Sequence, residues 1–100
     1  MKQLRIGDSY QHQQSIFTII RRQDNIVMAF DGVGIWEVFK VRIKKEKRLP
    51  SGAILEAGEY PPSTEMFGEL ARCHSVLRNA EKTFAEFVEM CQISVTPMAN

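Results

Sequence analysis

One hundred residues with 44% hydrophobic and 25% charged side chains make an ordinary single globular domain, 1–100, able to bury about two-thirds of its unfolded surface without staples. Two cysteines, Cys73 and Cys91, exclude a disulfide framework, and the absence of a CxxC pair excludes zinc-ribbon and dithiol redox chemistry. The net charge of +1 conceals an asymmetry: 10 basic and 5 acidic side chains fall in 1–48, against 3 and 7 in 49–100.

Residues 1–14 are polar, with one short strand expected near 4–6 and the segment otherwise loose. Lys2, Arg5 and Asp8 break any apolar leader, and runs such as 16–20 are far too short to cross a membrane. With reduced cysteines this sets the expected location as cytoplasmic, away from any membrane.

Residues 15–43 carry the strongest pattern. Two runs rich in Ile, Val, Phe and Thr, 15–22 and 26–31, flank Asp24-Asn25, which suits a two-residue hairpin turn. That turn pairs Ile19 with Phe30 and Arg21 with Met28. A second turn at Gly32-Val33-Gly34, with an even-length loop, pairs Phe30 with Glu37, Met28 with Phe39 and Ile26 with Val41. One face then collects Phe17, Ile19, Ile26, Met28, Phe30, Ile35, Phe39, Val41 and Ile43, with Glu37 and Arg21 near its rim. The opposite face collects Thr18, Ile20, Arg22, Val27, Ala29, Trp36, Val38, Lys40, Arg42 and Lys44.

Farther on, Pro50-Ser51-Gly52 reads as a turn, and 53–56 as a fourth strand beside the third. Pro61-Pro62 ends the extended region. Ser63 or Thr64 caps a short helix running to about Arg72, weakened by Gly68. Ser75 caps the last helix, where Leu77, Ala80, Phe84, Phe87, Val88 and Cys91 recur at three- and four-residue steps and make one apolar stripe. Thr96-Pro97 closes it, with 94–100 loose. The fold class is therefore α+β: a three- or four-stranded antiparallel sheet, a C-terminal amphipathic helix on one face, and a short preceding helix.

Chemistry is sparse. Trp36, Lys40, Arg42 and Lys44 alternate along the outward side of the third strand, and Arg22 shares that face. A basic, aromatic-bearing face suits a phosphate backbone and a stacked base of DNA or RNA. The competing reading is a solvated strand whose charges protect the sheet edge. Cys73-His74 pairs a thiol with an imidazole, but neighbours on a helix do not face each other. Glu56, Glu59, Glu65 and Glu69 lack the spacing of a metal loop, and Gly32-Val33-Gly34 lacks the Lys-Ser/Thr of a phosphate loop. No metal, cofactor or catalytic residue is expected.

The strand 35–44, the Gly52-containing turn and strand after it, Pro62-Ser63-Thr64-Glu65 with Phe67-Gly68, and the helix with Leu77, Ala80 and Phe84 together form a pattern. Over 35–87 the chain resembles short proteins of unassigned activity from prophages and mobile elements of gut Bacteroidetes. Thr64 fills a slot often held by Asn or Asp. The resemblance implies a bacterial or phage cytoplasmic setting, and no site residue transfers with it. The functional expectation is a non-catalytic accessory module acting by self-association or on a protein partner, with nucleic-acid binding second and an enzyme third.

Overall fold

The computed structural model describes residues 3–95, with 92–95 considered as backbone only. Its main sheet is antiparallel with strands β1 (Ser9–His12), β2 (Ser15–Gln23), β3 (Ile26–Phe30), β4 (Trp36–Lys40) and β9 (Ala71–His74), adjacent in that order. Between β4 and β9 the chain leaves the sheet through β5 (Arg42–Lys44), β6 (Lys47–Arg48), β7 (Ile54–Leu55) and β8 (Gly58–Tyr60). A 3-10 turn (Thr64–Met66) leads into β9, and helix α1 (Leu77–Val95) follows. The α+β class is as expected. The sheet has five strands, and the short helix is a single turn.

Asp24-Asn25 is the two-residue turn the sequence called for, with Asp24 at φ 55° and Gln23 opposite Ile26. Arg21 faces Met28, but the register shifts between Ile19 and Arg21, so Ile19 faces Ala29 rather than Phe30. Ile20 is the extra residue of this β-bulge. The β3–β4 connection departs further. Asp31 Oδ1 accepts backbone N–H groups from Val33, Gly34 and Ile35 at 2.8–2.9 Å. The Asp31 N–H donates to the Ile35 carbonyl. The loop therefore closes over an odd number of residues and pairs Phe30 with Trp36, Met28 with Val38 and Ile26 with Lys40. Each expected β3–β4 pair is off by one, which turns β4 over.

The consequence is two apolar layers. Ile26, Met28, Val38 and half-buried Trp36 lie under Ala80, Phe84, Phe87, Val88 and Cys91 of α1. Leu77, the first residue of the expected stripe, is exposed. The helix starts at Leu77, one residue later than a cap at Ser75 would place it: the Val76 carbonyl accepts the N–H groups of Asn79 and Ala80. On the other side Phe17, Ile19, Val27, Ala29, Phe39, Val41 and Ala71 form a second core with Leu4 and Tyr10, against which Met66 and Phe67 pack.

That second side is strongly concave. The Tyr10 ring stacks on Phe17 at 5.7 Å and meets Phe39 edge-on at 5.6 Å. Tyr10 is on β1 and Phe39 on β4, with β2 and β3 between them. In a flat sheet three strand spacings would hold them about 14 Å apart. Leu4 is buried, but 4–6 form no strand; Arg5 and Asp8 close a turn instead, through bonds from the Asp8 N–H to the Arg5 carbonyl and from the Arg5 N–H to Asp8 Oδ2.

The third and fourth expected strands also change roles. Residues 35–44 split at Val41 into β4 and β5, and β7 pairs with β6, not with the main sheet. The neighbour of β4 is β9, where the sequence reading placed a helix. Gly68 at φ 107° turns the chain after Phe67, and the Lys40 N–H takes the Leu70 carbonyl, which pulls 71–74 alongside β4. Thr96-Pro97 and the tail lie outside the described residues. Among the described residues no helix is long and apolar enough to cross a membrane.

Arg22 joins the outlying strands to the sheet. Its guanidinium forks onto Glu59 at 2.6 and 2.8 Å and also donates to the Leu4 carbonyl; Glu59 accepts the Leu4 N–H as well. The Arg22 hydrogen bonds hold the Glu59 carboxyl below its ordinary value of 4.5. A depressed folded value means that the unfolded chain takes this proton more readily. The stabilisation is therefore complete above pH 4.5 and is lost as pH falls through the lower folded value. Arg22→Ala should cost about 2 kcal/mol at neutral pH. Chemical denaturation at neutral pH and near pH 3 should show the gap between variant and wild type narrowing in acid.

Candidate functional site

Inside the concave face, Glu37 is 1% exposed. It stands on β4 between Phe39 and the Asp31 loop, facing Ala29 on β3 and Cys73 on β9. Burying a carboxylate costs several kcal/mol unless its oxygens are served. Tyr10 Oη donates to Glu37 Oε1 at 2.7 Å, and His12 Nδ1 lies 2.5 Å from Oε2. The Cys73 thiol reaches Oε2 at a longer 3.8 Å. Strand alternation explains how β1 supplies both main partners: Tyr10 and His12 are two apart and share its inner face. The sequence reading left Glu37 near a rim; the turned-over β4 and the curled β1 enclose it instead.

As a carboxylate Glu37 only accepts, which assigns the proton between it and His12 to Nδ1. His12 Nε2 is then left shielded with no hydrogen-bond partner among the described residues. The Phe67 ring lies parallel to the imidazole, 4.9 Å away. Burial, the Glu37 charge and the hydrogen bond to it push the Cys73 thiol up to about 11. The same causes in the same order raise the Tyr10 hydroxyl far above its normal range. Both groups are therefore proton donors at neutral pH. The cluster opens on a cleft of about 410 Å³ between the β1–β2 turn, the Asp31 loop and the 3-10 turn.

Cys73 and His74 do not work together, because neighbours on a strand point to opposite faces. Cys73 faces Glu37, whereas His74 Nε2 bonds Thr83 Oγ1 of α1 at 2.7 Å. The histidine beside the thiol-bearing cluster is His12, a residue with no signal in sequence. Cys91 is buried on the sheet-facing side of α1, as its place on the stripe required. No three His, Cys, Asp or Glu side chains among the described residues are grouped to hold a metal.

The five residues expected on one basic face are dispersed. Arg22 is committed to Glu59. Trp36 stacks on Phe30 at 4.6 Å on the helix side. Lys40 is half-buried on that same side, beside Phe87 and Leu70. Arg42 Nε donates to the Pro61 carbonyl, and only Lys44, over the Tyr60 ring at 5.5 Å, is well exposed. The residues therefore share no face, and at β3 and β4 both faces of the sheet are covered by protein.

A different basic element takes shape. β5 pairs with β8 (Arg42 opposite Tyr60, Lys44 opposite Gly58), and β6 pairs with β7 in the same register (Lys47 opposite Leu55, Arg48 opposite Ile54). The Leu49 N–H to Ala53 carbonyl bond closes the tip. The result is one two-stranded ribbon from 42 to 60, with no third strand among the described residues. Lys44, Lys45, Lys47 and Arg48 are exposed along one strand. The radius of gyration is 14.7 Å, against about 13 Å for a compact chain of this length.

Comparison with family models, with curated proteins and with solved structures returns no match.

The state of Cys73 is directly measurable. With its thiol near 11, under about 1% is thiolate at pH 8. Iodoacetamide labelling, with Cys73 located by mass spectrometry, should be slow there and rise with a midpoint about three units higher. Glu37→Gln should lower the midpoint part of the way towards 9.0, because burial, the largest cause, stays. An unchanged midpoint in a folded variant would remove Glu37 as a cause.

Proposed function

We propose that the chain is a non-catalytic nucleic-acid-binding module whose working part is the ribbon 42–60. The observation that carries this reading is the unsupported ribbon with four exposed cations, Lys44, Lys45, Lys47 and Arg48, along one strand. A two-stranded ribbon without a covering layer is marginal in water, so a partner that accepts it gains its ordering. A ribbon of this width fits a duplex major groove, and its cations meet phosphates on either side. Only two opposing carboxylates, Glu46 and Glu56, lie in the same stretch outside the Arg22-bound Glu59.

Catalysis is less well supported. A nucleophilic cysteine needs a lowered thiol, and Cys73 is moved the other way, by burial first and then by the Glu37 charge. The second reading is association with another protein or another copy through the ribbon. It is favoured by Ile43 and Ile54, exposed at 64% and 56%. Such contact would be apolar and would strengthen with salt, whereas phosphate binding weakens.

Binding to random-sequence single- and double-stranded DNA and RNA should be measured across a salt series, beside sedimentation of the protein alone. Three or four phosphate contacts predict an affinity loss of about a hundredfold between roughly 50 and 200 mM salt on duplex DNA. Alanine at Lys44, Lys45, Lys47 and Arg48 together should abolish most of the binding and flatten the slope. No binding at low salt, with a dimer whose formation Ile43→Ser disrupts, would replace this reading with the second.

A further inference from the structure

The exposed cations of the ribbon fall on two faces, and the faces are unlike. Side chains alternate along a strand, and residues opposite each other in a ladder share a face. The β5–β8 and β6–β7 ladders keep one register, with Lys45-Glu46 between them on one strand and Glu56-Ala57 on the other. The two strands run the same length between the ladders, so Lys45 falls opposite Ala57 and Glu46 opposite Glu56. One face then carries Lys44, Glu46 and Arg48, with Glu56 across from them. The other carries Ile43, Lys45 and Lys47, with Glu59 across from Ile43. The Lys44 ammonium over the Tyr60 ring agrees with this, because Tyr60 stands opposite Arg42 and belongs to the first face.

Charge separates the two faces. On the first, exposed Glu46 lies two residues from Lys44 and two from Arg48, and exposed Glu56 lies across the ladder from it. Residues two apart on a strand are about 7 Å apart, which is inside the Debye length of about 10 Å at 0.1 M salt. A phosphate drawn to Lys44 or Arg48 therefore meets the repulsion of two carboxylates as well. Arg42 is also on this face, with its Nε turned to the Pro61 carbonyl at the ribbon's base. On the second face the carboxylate is Glu59, and Arg22 forks onto it. Lys45 and Lys47 are exposed there with no carboxylate facing them that is not already matched.

We propose that the ribbon meets duplex DNA with the face of Ile43, Lys45 and Lys47, and that Glu46 and Glu56 hold the opposite face off the phosphates. The proposal rests on the nucleic-acid reading above and adds the side of contact and the kind of duplex. A ribbon laid in a major groove turns one face to the base edges and the other to solvent. Ile43, 64% exposed, suits the inner side, where thymine methyl groups offer an apolar contact. The major groove of A-form RNA is too narrow to admit the ribbon, which selects DNA.

The test is a fluorescence anisotropy titration of the full chain with a labelled random-sequence DNA duplex across a salt series. Lys45→Ala/Lys47→Ala should weaken binding about tenfold or more at roughly 100 mM salt and make the salt slope shallower by about two. Lys44→Ala/Arg48→Ala should weaken it about threefold or less. All four side chains are exposed, so both variants keep the fold. In a Glu46→Gln/Glu56→Gln background, the loss from Lys44→Ala/Arg48→Ala should grow to match that of the other pair, because nothing then opposes those cations. The same sequences as duplex RNA should bind about tenfold more weakly. Equal losses from the two pairs, an unchanged loss in the glutamine background, or equal binding of duplex RNA would overturn the proposal and still leave the ribbon as the nucleic-acid site. Absence of wild-type binding at low salt would remove that reading, and this proposal with it.

Discussion

The carboxylate of Glu37 can be buried only because β1 comes round to meet it. Two hydrogen bonds from alternate residues of one strand, Tyr10 and His12, reach across the concave face to β4, and the intervening strands must curl for that to happen. The curl gives the sheet two unlike sides. The convex side takes the amphipathic helix with Phe84 and Phe87 as its main anchors. The concave side closes on aromatic rings and keeps one polar group, placed where the sheet opens to solvent. Removing the carboxylate would leave His12 without its orienting partner and β1 without its polar tie to β4.

Much of this was readable in the residues. The helix stripe, the Asp24-Asn25 turn and the α+β class follow from local periodicity and turn chemistry, which act over a few positions. What failed was the relation between strands. β3 is buried on both faces, with Ile26 and Met28 to one side and Val27 and Ala29 to the other. An apolar residue at every position leaves alternation nothing to choose between, so either register looks satisfactory. The deciding contact was the Asp31 carboxylate gathering three N–H groups, a side-chain event that composition does not announce. β9 was missed for a different reason: Ala71-Arg72-Cys73-His74 contains no β-branched residue, and its strand character comes from the ladder with β4. The site inherited both errors. His12 meets Glu37 only through the curl, and Cys73 only through β9.

The basic residues show the same separation between composition and placement. Charge counting found the excess in the first half of the chain, and the structure divides it. Arg22 became a structural clamp and Arg42 a backbone tie, while Lys44, Lys45, Lys47 and Arg48 stayed in solvent on the ribbon. The clamp and the ribbon are linked, because the Arg22–Glu59 pair fixes the ribbon's base to β2. Orientation of the exposed cations therefore depends on an ion pair that never touches them.

The odd-length Asp31 loop bears on how this protein can change over generations. Substitutions at exposed Val33 alter little, because that side chain packs on nothing. A gain or loss of one residue there is another matter. It would rotate β4 by half a turn, put the Glu37 carboxylate beneath Phe84 and expel Phe39 from the opposite core. Related chains should therefore vary freely at Val33 while keeping Asp31 and the length of the loop, the reverse of what surface connections usually tolerate.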